Sequence, residues 1–137
     1  MERRRTATSV TGARPGRMTP LRRLLARASA GYLTVFVIPD AEIVRNAGLY
    51  LSAFDRLELV ATPRHANTLL IAGPIPQGLA RASAVAYAQM PRPRWILAVD
   101  TESVEGLPAP DVVVQPNQAS LRDGVARLRR MIADGTF

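Results

Sequence analysis

Short apolar runs alternate along the chain with longer stretches of helical spacing. "YLTVFVI" (Tyr32–Ile38) is β-branched and aromatic with no polar alternation, which predicts a strand buried on both faces. Pro39 and Asp40 stop it. From Ala41 to Phe54, Ile43, Ala47, Leu51 and Phe54 recur at helical spacing, with Asp40 as the N-cap. "RLELVAT" alternates and predicts an edge strand, whereas "TLLIAG" (Thr68–Gly73) is continuously apolar and predicts a central one. Gln77–Met90 is an alanine-rich helix, and a strand follows from about Arg94 to Val99. After the loop "DTESVEGLPAP", "DVVVQ" gives a short fifth strand. Ser120–Ala133 closes as a helix with Leu121, Val125, Leu128 and Ile132 on one face.

This β-α-β-β-α-β-β-α order predicts an α/β domain over residues 31–137, a mostly parallel sheet of four to five strands with helices on both faces. Only "ATPRHAN" is too short for a crossover helix. In such sheets the functional site lies outside the carboxyl ends of the strands. Here those ends are Ile38–Glu42, Gly73–Gly78, Asp100–Ser103 and Gln115–Ser120.

Ahead of the domain, residues 1–18 scatter Thr, Ser, Gly and Pro among arginines and predict a disordered leader. Residues 19–30 predict a short amphipathic helix, with Thr19 as N-cap, Pro20 in the first turn and Gly31 at its end. Leu21, Leu24, Leu25 and Ala28 share one face, and Arg22, Arg23 and Arg27 lie opposite. Such a helix suits a partner, a membrane surface or its own domain.

The net charge of +7 is unevenly placed. Eight arginines and one acid, Glu2, lie before Gly31; ten arginines and ten acids follow, and the chain has no lysine. An arginine tail suits an acidic partner, anionic lipid or nucleic acid, although the body shows no nucleic-acid module and no specific nucleic-acid partner is expected. All-arginine usage is also what a biased genome composition produces. No apolar run reaches membrane-spanning length and no secretory signal stands out, so a cytoplasmic location is expected.

Cysteine is absent, which excludes disulfides, thiolate zinc sites, a cysteine nucleophile and any iron–sulfur cluster held by this chain alone. A single histidine, His65, leaves little for an imidazole metal site or a self-contained triad. "AGPIPQGLARA" follows a strand and opens a helix, where phosphates often bind. It lacks both glycine-rich fingerprints, and two prolines remove amides that a phosphate needs, so it reads as a βα turn. Asp40, Glu42, Asp100 and Glu102 have two readings: a carboxylate cluster for acid–base work or magnesium, or a cap at Asp40 with the rest facing solvent or an arginine. His65 reads as a satisfied loop residue, and Tyr87 and Trp95 as packing. No catalytic constellation, metal site or cofactor site is expected.

Two segments, "ATPRHANTLLIAGP" and "YAQMPRPRWILAVD", resemble the B (PSST) subunit of NADH:quinone oxidoreductase, complex I, and the small subunits of membrane-bound nickel–iron hydrogenases. That family has S-P-R-H/Q-A-D leading into an apolar strand, then Y-x-Q-M-P-x-P and a strand beginning with Trp. The resemblance runs in order from Gly31 to Ile132 and implies a flavodoxin-like sheet. It also implies partners: a catalytic large-subunit homologue and membrane subunits, with the chain peripheral on the cytoplasmic side of the inner membrane.

The family holds a four-iron cluster through four cysteines at the strand ends. By that resemblance one ligand position falls at Pro39 and another at Phe36 or Ile38. A third falls near Thr101 or Glu102, and the fourth at Asn117. The loop between the last two shrinks to "SVEGLPAP". None of these residues offers a soft thiolate, so the resemblance implies a scaffold that has lost its cluster and acts as a non-redox accessory subunit. The alternative is a small-ligand or metal binder using the vacated cavity, with Asp40, Glu42, Gly73, Thr101 and Asn117 around it.

Overall fold

A computed structural model describes residues 31–73, 75 and 77–135. The expected leader (1–18) and amphipathic helix (19–30) lie outside the described residues. In chain order the elements are β1 (Leu33–Ile38), α1 (Ala41–Asn46), a 3-10 turn (Leu51–Ala53), β2 (Leu57–Leu59) and a second 3-10 turn (Pro63–His65). Then come β3 (Thr68–Ala72), α2 (Gln77–Gln89), β4 (Trp95–Val99), β5 (Val112–Val114) and α3 (Gln118–Ala133). The five strands pair in parallel in the order β2-β1-β3-β4-β5. This is an α/β, flavodoxin-like arrangement in which the build direction reverses between β1 and β3.

The apolar runs and the topology agree. β1, β3 and β4 are internal to the sheet, and each is almost wholly buried. One layer of core lies between the sheet and α1 with α3, centred on Leu33, Val35, Leu70, Trp95, Leu97, Leu121, Val125 and Leu128. The other lies under α2, with Leu69, Ile71, Ile96, Ala80, Ala86 and Met90. Successive residues of a strand alternate between the two layers, so a strand covered on both sides must be apolar at every position.

The expected helix from Ala41 to Phe54 is a correction. Six residues are helical, and the chain then leaves through Gly48 at φ +84°. The Gly48 amide donates to Arg45 O and the Leu49 amide to Val44 O, at 3.0 and 3.1 Å, which closes the helix end through a left-handed residue. Val44 and Leu49 are both buried in the same core layer. Leu51 and Phe54 do pack inward, but from a 3-10 turn and the residue after it. The periodicity identified buried positions; Gly48 decided how the chain reached them.

At the amino-terminal ends of the strands the backbone is held by side chains. Asn67, fully buried, accepts from the Thr34 amide (3.0 Å) and the Thr68 hydroxyl (2.9 Å) through Oδ1. Its Nδ2 donates to Tyr32 O at 3.0 Å, and its own amide reaches the Thr34 hydroxyl and carbonyl. Its carbonyl accepts from the Trp95 amide at 2.9 Å, so one residue links the starts of β1, β3 and β4. Arg94 Nη1 donates to Tyr87 O (2.8 Å), which also accepts from the Met90 amide, and to Met90 O (3.3 Å), holding carbonyls at the end of α2. Its guanidinium carbon stands 4.0 Å from the centre of the Tyr87 ring. Arg129 on α3 donates to the carbonyls of Asp55 and Arg56 just before β2. Burial, and then the neighbouring Arg56, pull its pKa below the ordinary arginine value, with Asp55 opposing.

Candidate functional site

The carboxyl ends of the strands are the place to look for chemistry, and they are built mainly of turns and caps. β1 ends at Ile38, and after Pro39 the carboxylate of Asp40 accepts from the Ile43 amide at 3.0 Å, capping α1. Glu42 in the first turn pairs with Arg45 at 3.4 Å, both well exposed. β3 runs into Gly73 at φ +73°, whose amide donates to Val99 O at 2.6 Å. β4 runs into Asp100 at φ +59°, whose amide donates to Val114 O at 2.9 Å. Thr101 points its hydroxyl at Ser103 O (3.3 Å), and Glu102 is exposed.

After β5 the Asn117 Oδ1 accepts from the Ser120 amide at 2.8 Å, so α3 begins two residues earlier than its apolar spacing indicates. Gln118 then grips the backbone of Tyr50. Its Oε1 accepts from the Tyr50 amide (2.8 Å) and its Nε2 donates to the Tyr50 carbonyl (3.1 Å). Nothing in the local pattern announces this contact, because its partner lies 68 residues away.

The register fixes how the candidate residues relate. Ile38, Ile71 and Ala98 lie in one row across β1, β3 and β4. The ends of β1 and β4 are therefore two strand spacings apart, about 10 Å. Phe36 sits two residues below the end of β1, level with Leu69 and Ile96, half-buried in the α2-side layer. Ile38 is buried in that same layer. Of the possible cluster positions, Phe36, Ile38 and Pro39 present only carbon, the Asn117 oxygen is taken by a helix amide, and Thr101 and Glu102 offer hard oxygen. That donor set does not fit a four-iron cluster.

Asp40, Glu42, Asp100 and Glu102 do not form the carboxylate cluster their sequence positions allow. Among the described residues no three His, Asp or Glu side chains come together to hold a metal ion. The capping reading of Asp40 and the arginine pairing of Glu42 are what the geometry shows. His65 stands on the amino-terminal side of β3 with Nδ1 3.0 Å from the Thr62 hydroxyl, away from the strand ends.

Two recesses flank this region. One, of about 200 Å3, is lined by Ile75 and Ala80 on one side and by Ser103, Val104 and Glu105 of the β4–β5 loop on the other. The other, of about 90 Å3, lies between α1 and the β2 edge, lined by Ala41, Val44, Arg45, Leu49, Tyr50, Leu51, Ser52 and Leu59. Neither is lined by Glu42, Gly73, Thr101 or Asn117.

No family model matches the sequence, and no curated protein matches it. Among solved structures, the chain is similar to one from the membrane-bound sulfane sulfur reductase, an archaeal respiratory membrane complex. The TM-score is 0.60 at 19% identity, covering 86% of this chain and 78% of that one. At that identity the likeness is one of fold. Among the described residues no helix is long and apolar enough to cross a membrane.

Proposed function

We propose that this protein is a non-redox accessory subunit of a membrane-associated respiratory assembly of the complex I or membrane-bound hydrogenase type. The observation that carries this reading is the fold shared along most of both chains with a component of a respiratory membrane complex. The sequence motifs resembling the B subunit of complex I and the hydrogenase small subunits point the same way. The body, residues 31–137, docks on a homologue of the catalytic large subunit and stays peripheral, on the cytoplasmic side of the membrane. The positions that correspond to cluster ligands, at Phe36 or Ile38, Pro39, Thr101 or Glu102 and Asn117, hold no cluster, so electrons do not pass through this chain. The arginine-rich residues before Gly31 contact an acidic partner surface or anionic lipid.

Affinity purification of the tagged full chain from native membranes in mild detergent tests this. Stoichiometric recovery of a large-subunit homologue with membrane subunits is the expected result. A chain recovered alone, with nothing retained at the membrane, overturns it.

A second reading, a stand-alone binder of a small polar ligand, is favoured by the open recess carrying Ser103 and Glu105 at the strand ends. A melting shift with one ligand class and no partner in the purification supports it.

A further inference from the structure

Five large apolar side chains are exposed among the described residues, and two of them, Tyr50 (51%) and Leu59 (45%), meet at the recess between α1 and the β2 edge. The recess lies between the end of α1 at Asn46 and the end of β2 at Leu59, floored by the buried Val44, Leu49 and Leu51 and rimmed by the exposed Tyr50 and Leu59. Its volume of about 90 Å3 is on the scale of one large aliphatic side chain. Leu59 pairs with Val35, which stands on the α1 side of the sheet, so its side chain faces that same side.

The chain supplies a candidate occupant nearby. Residues 19–30 carry Leu21, Leu24, Leu25 and Ala28 at helical spacing and join the body at Gly31. Gly31 lies against the Arg56 side chain, and β1 starts beside β2 there, with the Leu33 amide on Arg56 O. Leu59 is level with Val35, four residues up β1 from Gly31 and one strand over, roughly 14 Å away. A twelve-residue helix spans about 18 Å, so the leucines are within reach.

We propose that residues 19–30 seat one leucine of their apolar stripe in this recess, with the rest of the stripe against the exposed Tyr50 and Leu59 at its rim. Arg22, Arg23 and Arg27, on the opposite face of that segment, then point away from the body. Burial of the stripe is hydrophobic and needs no partner protein. The inference therefore stands independently of the assembly proposed above and is tested on the isolated full chain.

Because the protein has no cysteine, engineered pairs report without background. Ser52→Cys, at the exposed rim of the recess, is combined separately with Leu21→Cys, Leu24→Cys, Leu25→Cys and, as an opposite-face control, Arg23→Cys. Under mild oxidation at micromolar protein, at least one leucine position is expected to close an intramolecular disulfide about tenfold faster than the Arg23 control. Leu59→Glu added to that pair is expected to abolish the advantage; Leu59 is nearly half exposed, so the fold tolerates the change.

Equal rates at leucine and arginine positions, or no intramolecular disulfide, overturn the proposal and leave the stripe to a partner or to lipid. Disulfides chiefly between molecules, scaling with concentration, overturn it in favour of a second copy.

Discussion

The two ends of this parallel sheet are built differently. At the amino-terminal ends, Asn67 and Arg129 reach across the chain and tie loops and strand starts together, with Asn67 fully buried, while Arg94 holds the end of the preceding helix. At the carboxyl ends, Asp40 and Asn117 act within three residues of themselves, as exposed caps, and Gln118 makes the long-range grip, on the backbone of the exposed Tyr50. Both segments that carry the resemblance, "ATPRHAN" and "YAQMPRPRW", lead into the amino-terminal ends of β3 and β4. On the function proposed above, the positions that would correspond to cluster ligands all lie in the carboxyl half of their strands or beyond. A scaffold of that kind would keep residues the fold needs and lose those only a cofactor needed.

That contrast is most easily broken at Asn67. Asn67→Ala removes the shared acceptor of the Thr34 amide and the Thr68 hydroxyl, both buried, together with the part-buried donor to Tyr32 O. Each stranded group costs on the order of 1–3 kcal/mol, so a loss of about 3 kcal/mol or more is expected from urea unfolding. A loss under 1 kcal/mol would mean that the amino-terminal ends are no more tightly specified than the other end.

Beneath the carboxyl ends the demand is for packing. A Cβ on Gly124 of α3 would stand 2.2 Å from Val114 Cγ1 and 3.3 Å from Val112 Cγ1. Gly124→Ala must therefore push α3 off β5, at about 1–3 kcal/mol, against roughly 1 kcal/mol gained in helix propensity. A net loss of up to about 2 kcal/mol is expected. Val114→Ala in the same chain should show a favourable coupling, since it removes the atoms in conflict.

The exposed caps sit lower on the scale. Asn117→Ala and Asp40→Ala each forfeit one side-chain bond to a helix amide and are expected to cost about 1 kcal/mol in the same unfolding measurement. Simultaneous alanines at Thr101 and Glu102, which hold no element together, should change stability by less than about 0.5 kcal/mol.

Part of this difference is legible in the sequence. The apolar runs at Tyr32–Ile38 and Thr68–Gly73 demanded buried strands, a further strand was expected from about Arg94 to Val99, and "ATPRHAN" was too short for a full crossover helix; these hold. The Asp40 cap was readable because its partner is three residues away. Two things were not readable for one reason. The grip of Gln118 on Tyr50 and the span of Arg129 to Asp55 join residues 68 and 74 apart, and local periodicity carries no signal for them. The early end of α1 lay outside what apolar spacing reports: Ile43, Ala47, Leu51 and Phe54 keep the helical period, and Gly48 at φ +84° turns the chain between them.

Asp111 carries the smallest and most specific expectation. It precedes β5, and its Oδ2 accepts from the Ile96 amide at 2.7 Å while its own amide bonds Ile96 O. Partial burial raises its pKa, with the bond to the Ile96 amide opposing the shift. A carboxyl whose pKa is higher folded than unfolded favours the folded state most when protonated. Its contribution is full below the unfolded value and is lost as pH climbs through the folded one. Asp111→Asn keeps an acceptor for the Ile96 amide and removes the charge, so near neutral pH the variant should be slightly more stable than the parent. That advantage should shrink as the pH falls through the ordinary aspartate range, read as converging urea midpoints. If the variant is instead the less stable at neutral pH, the ionised carboxylate is bound more tightly than its burial opposes. The boundary between β4 and β5 would then belong with the strongly tied amino-terminal ends.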